Sequence, residues 1–296
     1  MSTALLFPGQ GSQNPHSGVA WSGHPAWSVV VEASDATSVD VSHLLLDADA
    51  DELVDTANAQ LSTFVISLVV ATALRREGLA VQHTAGHSLG EYTALVAAGI
   101  MDITSGARLV HARGLAMRSA AAAHPGTMSA IIGLDVAAVA AAIEGIDDVW
   151  VANDNAPGQV VIAGSAPAIE AAADVLRSAG ARRPMPLAVA GAFHTPFMAP
   201  AQESLDSAIS GTAFGVGELV AWANVDAASH ADPAAWPGLL SRQLCEPVRW
   251  RGEILGLVEA GVDAFVECGP GTVLTGMVKR IAPEAQRRSV SSPSDI

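Results

Sequence analysis

Positions 86–90 read Gly-His-Ser-Leu-Gly and place a serine hydroxyl between two glycines. A predicted strand, His83–Gly86, precedes this segment, and a helical pattern at 91–98 follows it. Where Gly-x-Ser-x-Gly joins a strand to a helix, the strained turn exposes the hydroxyl, and the glycines leave room for neighbouring backbone. We therefore predict that Ser88 is an exposed nucleophile. Its place at the amino terminus of a helix favours developing negative charge.

A serine nucleophile needs a base to accept its proton and two donors to hold the oxyanion. The chain has nine histidines, and residue type alone does not choose the base among them. His194 follows an apolar-to-glycine boundary, in the loop-like segment 191–196, from which an imidazole can face a cleft. His87 adjoins the serine but is expected to point away from it, as a supporting residue. The backbone amides of Leu89 and Gln10 are candidate oxyanion donors.

The loop that contains Gln10, at positions 8–13, is rich in glycine and ends a predicted buried strand at 4–7. Such a loop can also cradle a phosphate. It lacks the Gly-Lys-Ser/Thr ending of a nucleotide P-loop and the Gly-x-Gly-x-x-Gly spacing of a dinucleotide fold. A nucleotide site is therefore disfavoured, and we expect the loop to expose backbone amides.

Composition narrows the class of protein. With 296 residues, 50% of them hydrophobic, the chain can build one large core or a core with a smaller inserted unit. The formal net charge of -15 disfavours a nucleic-acid partner, because binding to phosphate requires cations. Cys245 and Cys268 lack metal-type spacing, which predicts buried free thiols in a reducing compartment, with a disulfide as the alternative.

Neither the amino terminus nor the most apolar stretch indicates a membrane role. Residues 1–13 have no basic start and the apolar run there is short, which is not typical of a signal peptide. The run at 61–74 contains several hydroxyl side chains and has a length that suits a buried helix better than a bilayer span. We therefore expect a cytoplasmic protein with no membrane partner.

The pattern of helices and strands predicts an α/β protein with an inserted unit. Between 126 and 190 the predicted order is strand, helix, strand, strand, helix, strand, which is the split βαβ or ferredoxin-like arrangement. We predict a discontinuous large catalytic domain, formed by 1–125 and 191–286, around a ferredoxin-like small domain at 126–190. Residues 287–296 are polar without periodicity and are expected to form a flexible tail.

Several motifs occur in an order that resembles the malonyl-CoA:acyl carrier protein transacylases, stand-alone acyltransferases of fatty acid or polyketide synthesis. The motifs are Leu6-Phe7-Pro8-Gly9-Gln10-Gly11-Ser12-Gln13, Gly86-His87-Ser88-Leu89-Gly90-Glu91-Tyr92, Arg113-Gly114-x-x-Met117, Asn155-x-Pro157-Gly158-Gln159, Gly191-Ala192-Phe193-His194 and Gly269-Pro270-Gly271. The resemblance covers nearly the whole chain. It implies an α/β-hydrolase-like large domain with the inserted ferredoxin-like domain.

The resemblance also implies roles for individual residues. The family uses a serine–histidine dyad without a carboxylate, in which a backbone carbonyl orients the histidine; this implies Ser88 as nucleophile and His194 as base. Gln243 matches a family position near that histidine and is a candidate for orienting it. The oxyanion would be held by the amides of Gln10 and Leu89. Further supporting positions are His87, Asn155 and Phe193.

The family's arginine falls on Arg113, which implies that a guanidinium holds the free carboxylate of a malonyl group by paired charge-assisted hydrogen bonds. Acetyl and long acyl chains lack that carboxylate, and a buried arginine without a partner is costly. Leu89 and Phe193 resemble malonyl-selective members, whereas methylmalonyl-selective relatives tend to carry Gln and Ser there. A bulky Phe193 would crowd a methyl branch, an effect of about 10- to 200-fold.

Substrates and partners follow from the same resemblance: malonyl-CoA as acyl donor, an acyl carrier protein as acceptor, and ping-pong transfer through acylated Ser88. No metal or other cofactor is expected, and we expect a monomer. An acidic carrier would dock on local cations, for which the candidates are Arg182, Arg183, Lys279 and Arg280. The open alternatives are a transacylase subunit of a malonate decarboxylase, a trans-acting polyketide acyltransferase, a thioester hydrolase that admits water, and a non-catalytic carrier-binding subunit.

Overall fold

The computed structural model describes residues 2–182 and 184–296; Met1 and Arg183 lie outside the described residues. The strands are β1 (Thr3–Phe7), β2 (His83–Gly86), β3 (Thr127–Ile132), β4 (Val149–Ala156), β5 (Gln159–Gly164), β6 (Met185–Pro186), β7 (Val220–Ala223), β8 (Ala228–Ser229), β9 (Ala264–Cys268) and β10 (Gln286–Val290). The helices are α1 (Ser28–Thr37), α2 (Val41–Leu46), α3 (Thr56–Arg76), α4 (Leu89–Ala97), α5 (Ile103–Ala123), α6 (Val136–Ile143), α7 (Ala166–Ser178), α8 (Ala199–Ser210), α9 (Trp236–Gln243), α10 (Trp250–Glu259) and α11 (Val273–Ile281). The predicted α/β class is confirmed.

The larger sheet has six strands in the order β10-β9-β1-β2-β7-β8, and all neighbours are parallel except β7 and β8. Residues 4–7 of the central strand β1 are all apolar, as expected for a strand that is covered on both faces. Leu5 and Phe7 belong to the core on one face, with α3, α4 and α5. Ala4 and Leu6 belong to the core on the other face, with α10 and α11.

The register of this sheet brings two loops together. Phe7, the last residue of β1, pairs with Gly86, the last residue of β2. In a parallel pair both strands then end at the same edge of the sheet. The glycine-rich loop after β1 and the serine turn after β2 therefore begin side by side.

The smaller sheet has the antiparallel order β4-β5-β3-β6 and lies wholly within 127–186. Side chains alternate between its faces, as strand geometry requires. Ile131, Val160 and Ile162 pack with α6 and α7 in a separate core. Ala130 and Val161, on the opposite face, line a cavity against the larger sheet's loops.

Helix α3 is the one helix, among the described residues, long and apolar enough to cross a bilayer by length and composition. Within its most apolar 18-residue window, 89% of the residues are buried inside the protein. It packs against α5 and α4 in the main core, as predicted for the run at 61–74. Cys245 and Cys268 are free thiols, so the alternative of a disulfide is wrong.

The prediction of a flexible tail at 287–296 is wrong. Strand β10 pairs with β9 from Gln286 opposite Ala264 to Val290 opposite Cys268, and it extends the larger sheet beyond the predicted limit at 286. Its side chains are mostly polar because β10 is an edge strand, where polar residues are favoured. The pairing depends on backbone groups, which hydrophobic periodicity does not report.

Deleting residues 287–296 is expected to destabilise the protein. The deletion removes the fully buried Val290 and the carbonyl of Ser291, which accepts a 2.8 Å hydrogen bond from the buried Trp21 indole. We expect the free energy of unfolding to fall by on the order of 3–6 kcal/mol, measured by urea denaturation. Removing only the exposed Ile296 is the control and should cost little. An unchanged stability after the longer deletion would restore the flexible-tail interpretation.

Candidate active site

Ser88 lies on the sharp turn between β2 and α4, with φ 55° and ψ -108°. This left-handed conformation is unfavourable for a non-glycine residue and is held by the surrounding structure. The flanking glycines allow it: a Cβ on Gly86 would lie 1.9 Å from the backbone of Gly90, and a Cβ on Gly90 would lie 2.0 Å from the carbonyl oxygen of Phe7. The backbone can therefore form this turn only because Gly86 and Gly90 have no side chains.

His194 lies 106 positions after Ser88 in the chain, and its Nε2 is 2.7 Å from Ser88 Oγ. Its Nδ1 lies 2.7 Å from the backbone carbonyl oxygen of Gln243. A carbonyl can only accept, so Nδ1 carries the proton and the lone pair of Nε2 faces the serine hydroxyl. The imidazole is thus oriented to accept the proton of Ser88.

The electrostatic environment keeps this imidazole neutral. Burial, the largest cause, and the positive charge of Arg113 together lower the pKa of His194 to about 3. A neutral imidazole is the form that can act as a base. Nε2 of His194 is therefore unprotonated, and able to accept a proton, across the neutral and mildly acidic pH range.

Arg113, on α5, is 1% exposed and lies beside the dyad. Its Nη1 donates to Gln60 Oε1 at 2.7 Å, and its Nη2 donates to Gln243 Oε1 at 3.1 Å and to Ser88 Oγ at 3.2 Å. The guanidinium also lies over the ring of Tyr92, 5.2 Å from its centroid. No carboxylate forms an ion pair with Arg113 among the described residues. A buried cation held only by neutral groups can receive an anionic ligand.

The two amides proposed for the oxyanion are both free to donate. Among residues 2–182 and 184–296, neither the N–H of Gln10 nor that of Leu89 has a hydrogen-bond partner. The N–H of Ser88 itself is used, because it donates to Asn224 Oδ1 at 2.8 Å. Gln10 lines the same cavity as Ser88, in the loop that the register of β1 and β2 places there.

A cavity of about 270 Å³ opens over these groups. Its polar end is formed by Ser88, Arg113 and His194. Its walls come from the smaller sheet, from α5 and α11 and from neighbouring loops, and they are mainly apolar; the apolar members are Met117, Met128, Ala130, Val161, Leu187, Val189, Phe193, Val273, Leu274 and Met277. The arrangement suits a small acyl group with one charged end and a longer apolar arm towards the opening.

His87 does not contact the serine hydroxyl, in line with a supporting position. Its Nε2 lies 2.7 Å from Oδ1 of Asn155, on β4, and its ring packs edge-on against Trp250. Burial lowers the pKa of His87, so the ring is neutral and Nε2–H donates to the amide oxygen. The pair connects the serine turn to the smaller sheet.

Gln243, the candidate for orienting His194, occupies the centre of the site. The backbone carbonyl, rather than the side chain, orients His194. The side-chain Nε2 donates to Ser88 O at 2.8 Å and to Glu91 Oε2 at 2.7 Å, while Oε1 accepts from Arg113. A backbone contact of this kind has no signature in residue type.

Sequence reasoning missed three residues that support the site: Gln60, Asn224 and Glu253. Gln60 is a fully buried amide near the start of the largely apolar helix α3, a signal that could have found it. Asn224 directly follows β7 and also gave a usable signal, since polar residues after parallel strands often lie at a site. Glu253, on the amphipathic helix α10, gave none.

Comparisons with known proteins show the family of this chain. The family model described as the acyl transferase domain matches residues 4–292. The malonyl CoA-acyl carrier protein transacylase of Bacillus subtilis is 37% identical over 99% of this chain and 94% of its own length. The chain belongs to the malonyl-CoA:acyl carrier protein transacylase family.

Solved structures of this acyltransferase family have the same fold. An acyl carrier protein S-malonyltransferase from Vibrio cholerae superposes with a TM-score of 0.95 at 35% identity, covering 100% of this chain and 98% of that one. A malonyl-transacylase solved in complex with its type II polyketide synthase acyl carrier protein gives 0.94 at 36% identity, covering 100% and 97%. The transacylase of Escherichia coli K12 is 37% identical over 98% of this acyltransferase and 96% of its own length.

The pKa of His194 gives a prediction for this acyltransferase. Because the folded-state pKa is lowered from 6.5 to about 3, the neutral base persists as the pH falls through 6.5. The rate at which a sulfonyl fluoride labels Ser88 should change by less than about twofold between pH 7.5 and pH 5. Intact-mass analysis against time measures that rate, with the His194→Ala variant as the slow control. A loss of reactivity with a midpoint near 6.5 would contradict the buried, neutral imidazole.

Proposed function

We propose that this enzyme transfers a malonyl group from coenzyme A to the phosphopantetheine thiol of an acyl carrier protein, through an ester on Ser88. One observation carries the proposal: the buried Arg113 has no carboxylate partner among the described residues and reaches within 3.2 Å of Ser88 Oγ, which lies 2.7 Å from His194 Nε2. The relatives from Bacillus subtilis and Escherichia coli carry the same activity in their names, which supports it.

In the first half of the reaction, His194 Nε2 accepts the proton of Ser88 as Oγ attacks the thioester carbonyl carbon. The amides of Leu89 and Gln10 hold the resulting oxyanion. The tetrahedral intermediate collapses, the carbon–sulfur bond breaks, and the departing thiolate of coenzyme A takes the proton from His194. The malonyl group remains as an ester on Ser88.

The second half runs in the reverse sense with a different thiol. The phosphopantetheine thiol gives its proton to His194 while its sulfur attacks the ester carbonyl of acylated Ser88. The oxyanion returns to the same two amides. Collapse breaks the bond to Ser88 Oγ, which recovers a proton from His194, and releases malonylated carrier. These steps need no group beyond the side chains named and the two substrates, so we propose that no cofactor takes part.

The apolar walls supply selectivity within carboxylated acyl groups. Phe193, which precedes His194 in the chain, is 5% exposed and lines the cavity. Its ring restricts the space for a branch at the central carbon of the substrate. We therefore retain malonyl over methylmalonyl as the proposed preference, by about 10- to 200-fold.

The carrier-docking proposal depends on cations near the cavity opening. Lys279 and Arg280 lie at the end of α11, whose Val273, Leu274 and Met277 line the cavity. Arg280 is engaged with the turn between β4 and β5, where it donates to the side chain of Gln159 and to the carbonyl of Pro157. Lys279 and Arg182 are exposed. These two are therefore the better candidates to meet an acidic carrier, whereas Arg183 lies outside the described residues.

The two sheets also support the finer description of the fold that we propose. The smaller unit runs strand, helix, strand, strand, helix, strand with the order β4-β5-β3-β6, the connectivity of a ferredoxin-like domain. The larger parallel sheet carries Ser88 on a strand–turn–helix, as α/β hydrolases do. We describe the protein as an α/β-hydrolase-like domain with a ferredoxin-like insertion.

An acyl-enzyme on Ser88 is the central test. Incubation with malonyl-CoA should give a single malonyl adduct by intact-mass analysis, and the adduct should be absent from Ser88→Ala. Addition of holo acyl carrier protein should remove the adduct and load the carrier at equal stoichiometry. Release of free malonate in place of carrier loading would favour the thioester hydrolase. An active wild type without any adduct would overturn the mechanism.

Replacing Arg113 should lower the activity towards acyl groups that carry a carboxylate much more than the activity towards acyl groups that lack one. In Arg113→Met the malonyl carboxylate loses its buried cation, so kcat/KM for malonyl-CoA should fall by roughly 100-fold or more. The value for acetyl-CoA, which has no carboxylate, should fall far less. Arg118→Met is the matched control, because Arg118 lies on the same helix, 53% exposed, and pairs with Asp55. Equal losses for both substrates in Arg113→Met would contradict carboxylate recognition.

A further inference from the structure

Asn224 holds the backbone of the serine turn from both sides. Its Nδ2 donates to the carbonyl oxygen of Gly86 at 2.8 Å, and its Oδ1 accepts from the N–H of Ser88 at 2.8 Å. These two groups belong to the residues on either side of His87. A single side-chain amide thus bonds to the peptide group before His87 and to the one after it, both of which belong to the strained turn.

The orientation of this amide is fixed by its other partners. Nδ2 also donates to Glu253 Oε1 at 2.8 Å, and Oδ1 also lies 3.2 Å from Gln243 Nε2. Asn224 is fully buried, and its own N–H donates to Glu91 Oε2 at 3.1 Å. Turning the amide over would bring donor against donor and acceptor against acceptor. Only one orientation satisfies all of its neighbours.

The contact has two consequences for the nucleophile. Ser88 has φ 55°, so its backbone conformation is costly and needs contacts that hold it. Asn224 supplies such contacts directly at the turn. By occupying the N–H of Ser88, it also leaves the N–H of Leu89 as the free donor next to the hydroxyl.

We propose that Asn224, anchored by Glu253, is a positioning residue that sets the position of Ser88 Oγ relative to His194 and the oxyanion amides. It touches no substrate. Its effect falls on the rate of attack by Ser88 and leaves the binding of the acyl carboxylate at Arg113 intact. This proposal rests on the proposed role of Ser88 as nucleophile, but not on the identity of the acyl group.

Glu253 suits the anchoring position as a neutral acid. Burial raises the pKa of Glu253 well above 4.5, with the nearby carboxylate of Glu91 acting in the same direction. Its Oε2 has no hydrogen-bond partner among the described residues, so the contact with Asn224 is its only side-chain bond there. A glutamine at this position keeps an oxygen that accepts from Asn224, whereas a leucine of similar size does not.

The experiment compares two reactions of Ser88 in the full-length enzyme. Sulfonyl fluoride labelling needs the nucleophile and the base but no malonyl group. First-turnover acylation by malonyl-CoA needs the nucleophile, the base and recognition of the malonyl group. In Asn224→Asp, which keeps an acceptor for the Ser88 N–H but loses the donor to Gly86, both rates should fall by roughly 100-fold. The KM for malonyl-CoA should change by less than about threefold, since Arg113 is untouched.

Two further comparisons separate positioning from general stability. Glu253→Gln should retain rates within about tenfold of wild type, while Glu253→Leu should lose as much as Asn224→Asp. Asn58→Ala is the control, because it removes a side-chain bond to the carbonyl of Glu52 and none to the serine turn, and it should leave both rates unchanged. Rates are referred to the folded fraction, measured by thermal unfolding.

The outcomes are distinct. Parallel losses of sulfonylation and malonylation in Asn224→Asp at unchanged KM support the proposal. Unchanged rates per folded molecule would overturn it, even if the melting temperature falls, since Asn224 would then serve stability alone. A wild type that is sulfonylated but not malonylated would overturn the proposed function and still allow the role of Asn224 to be judged from sulfonylation.

Discussion

Gln243 makes the hydrogen bonds that the rest of the site depends on. Its backbone carbonyl fixes the tautomer of His194, its side-chain oxygen accepts from Arg113, and its side-chain nitrogen donates to the carbonyl of Ser88. His194, Arg113 and Ser88 are thus all hydrogen-bonded to one residue at the end of α9. Because the residue is fully buried, these bonds are shielded from competing water.

The buried positive charge beside Gln243 has no carboxylate ion-pair partner among the described residues. Arg113 is surrounded by neutral acceptors and an aromatic ring, and its Nε has no partner among the described residues. Burial raises the pKa of Glu91 to about 7, so this nearby acid only partly balances the cation at neutral pH. A buried cation with few anions nearby has a favourable interaction left to make, and we propose that an acyl carboxylate supplies it.

The smaller sheet is tied to the same centre by backbone as well as by side chains. The N–H of Val248 donates to Ala152 O and the N–H of Asp154 donates to Val248 O, each at 2.9 Å. The segment that follows Gln243 is therefore joined to β4, which also carries Asn155 against His87. This connection fixes the wall of the cavity relative to the dyad. It explains how a site built mainly from the larger sheet can be closed by an inserted unit.

The sequence alone determined the features that depend on a few neighbouring residues. The turn at Ser88 is encoded by two glycines and a serine between a strand and a helix, and the α/β class follows from periodicity within single elements. The resemblance of several motifs to those of the family, rather than residue type, assigned roles to His194 and Arg113 and supported Gln10. The edge strand β10 was not predicted, because its mostly polar side chains show no hydrophobic period and it is held by backbone pairing with β9.

Only the tertiary structure decided which groups meet. The contact between Ser88 and His194 joins residues 106 positions apart, and it exists because the sheet register and the packing of α9 bring their loops together. The backbone carbonyl of Gln243 and the amide of Asn224 act through position, and a carbonyl is common to every residue type. Local sequence fixes local backbone conformation, whereas hydrogen bonds between distant segments are set by the packing of the whole chain.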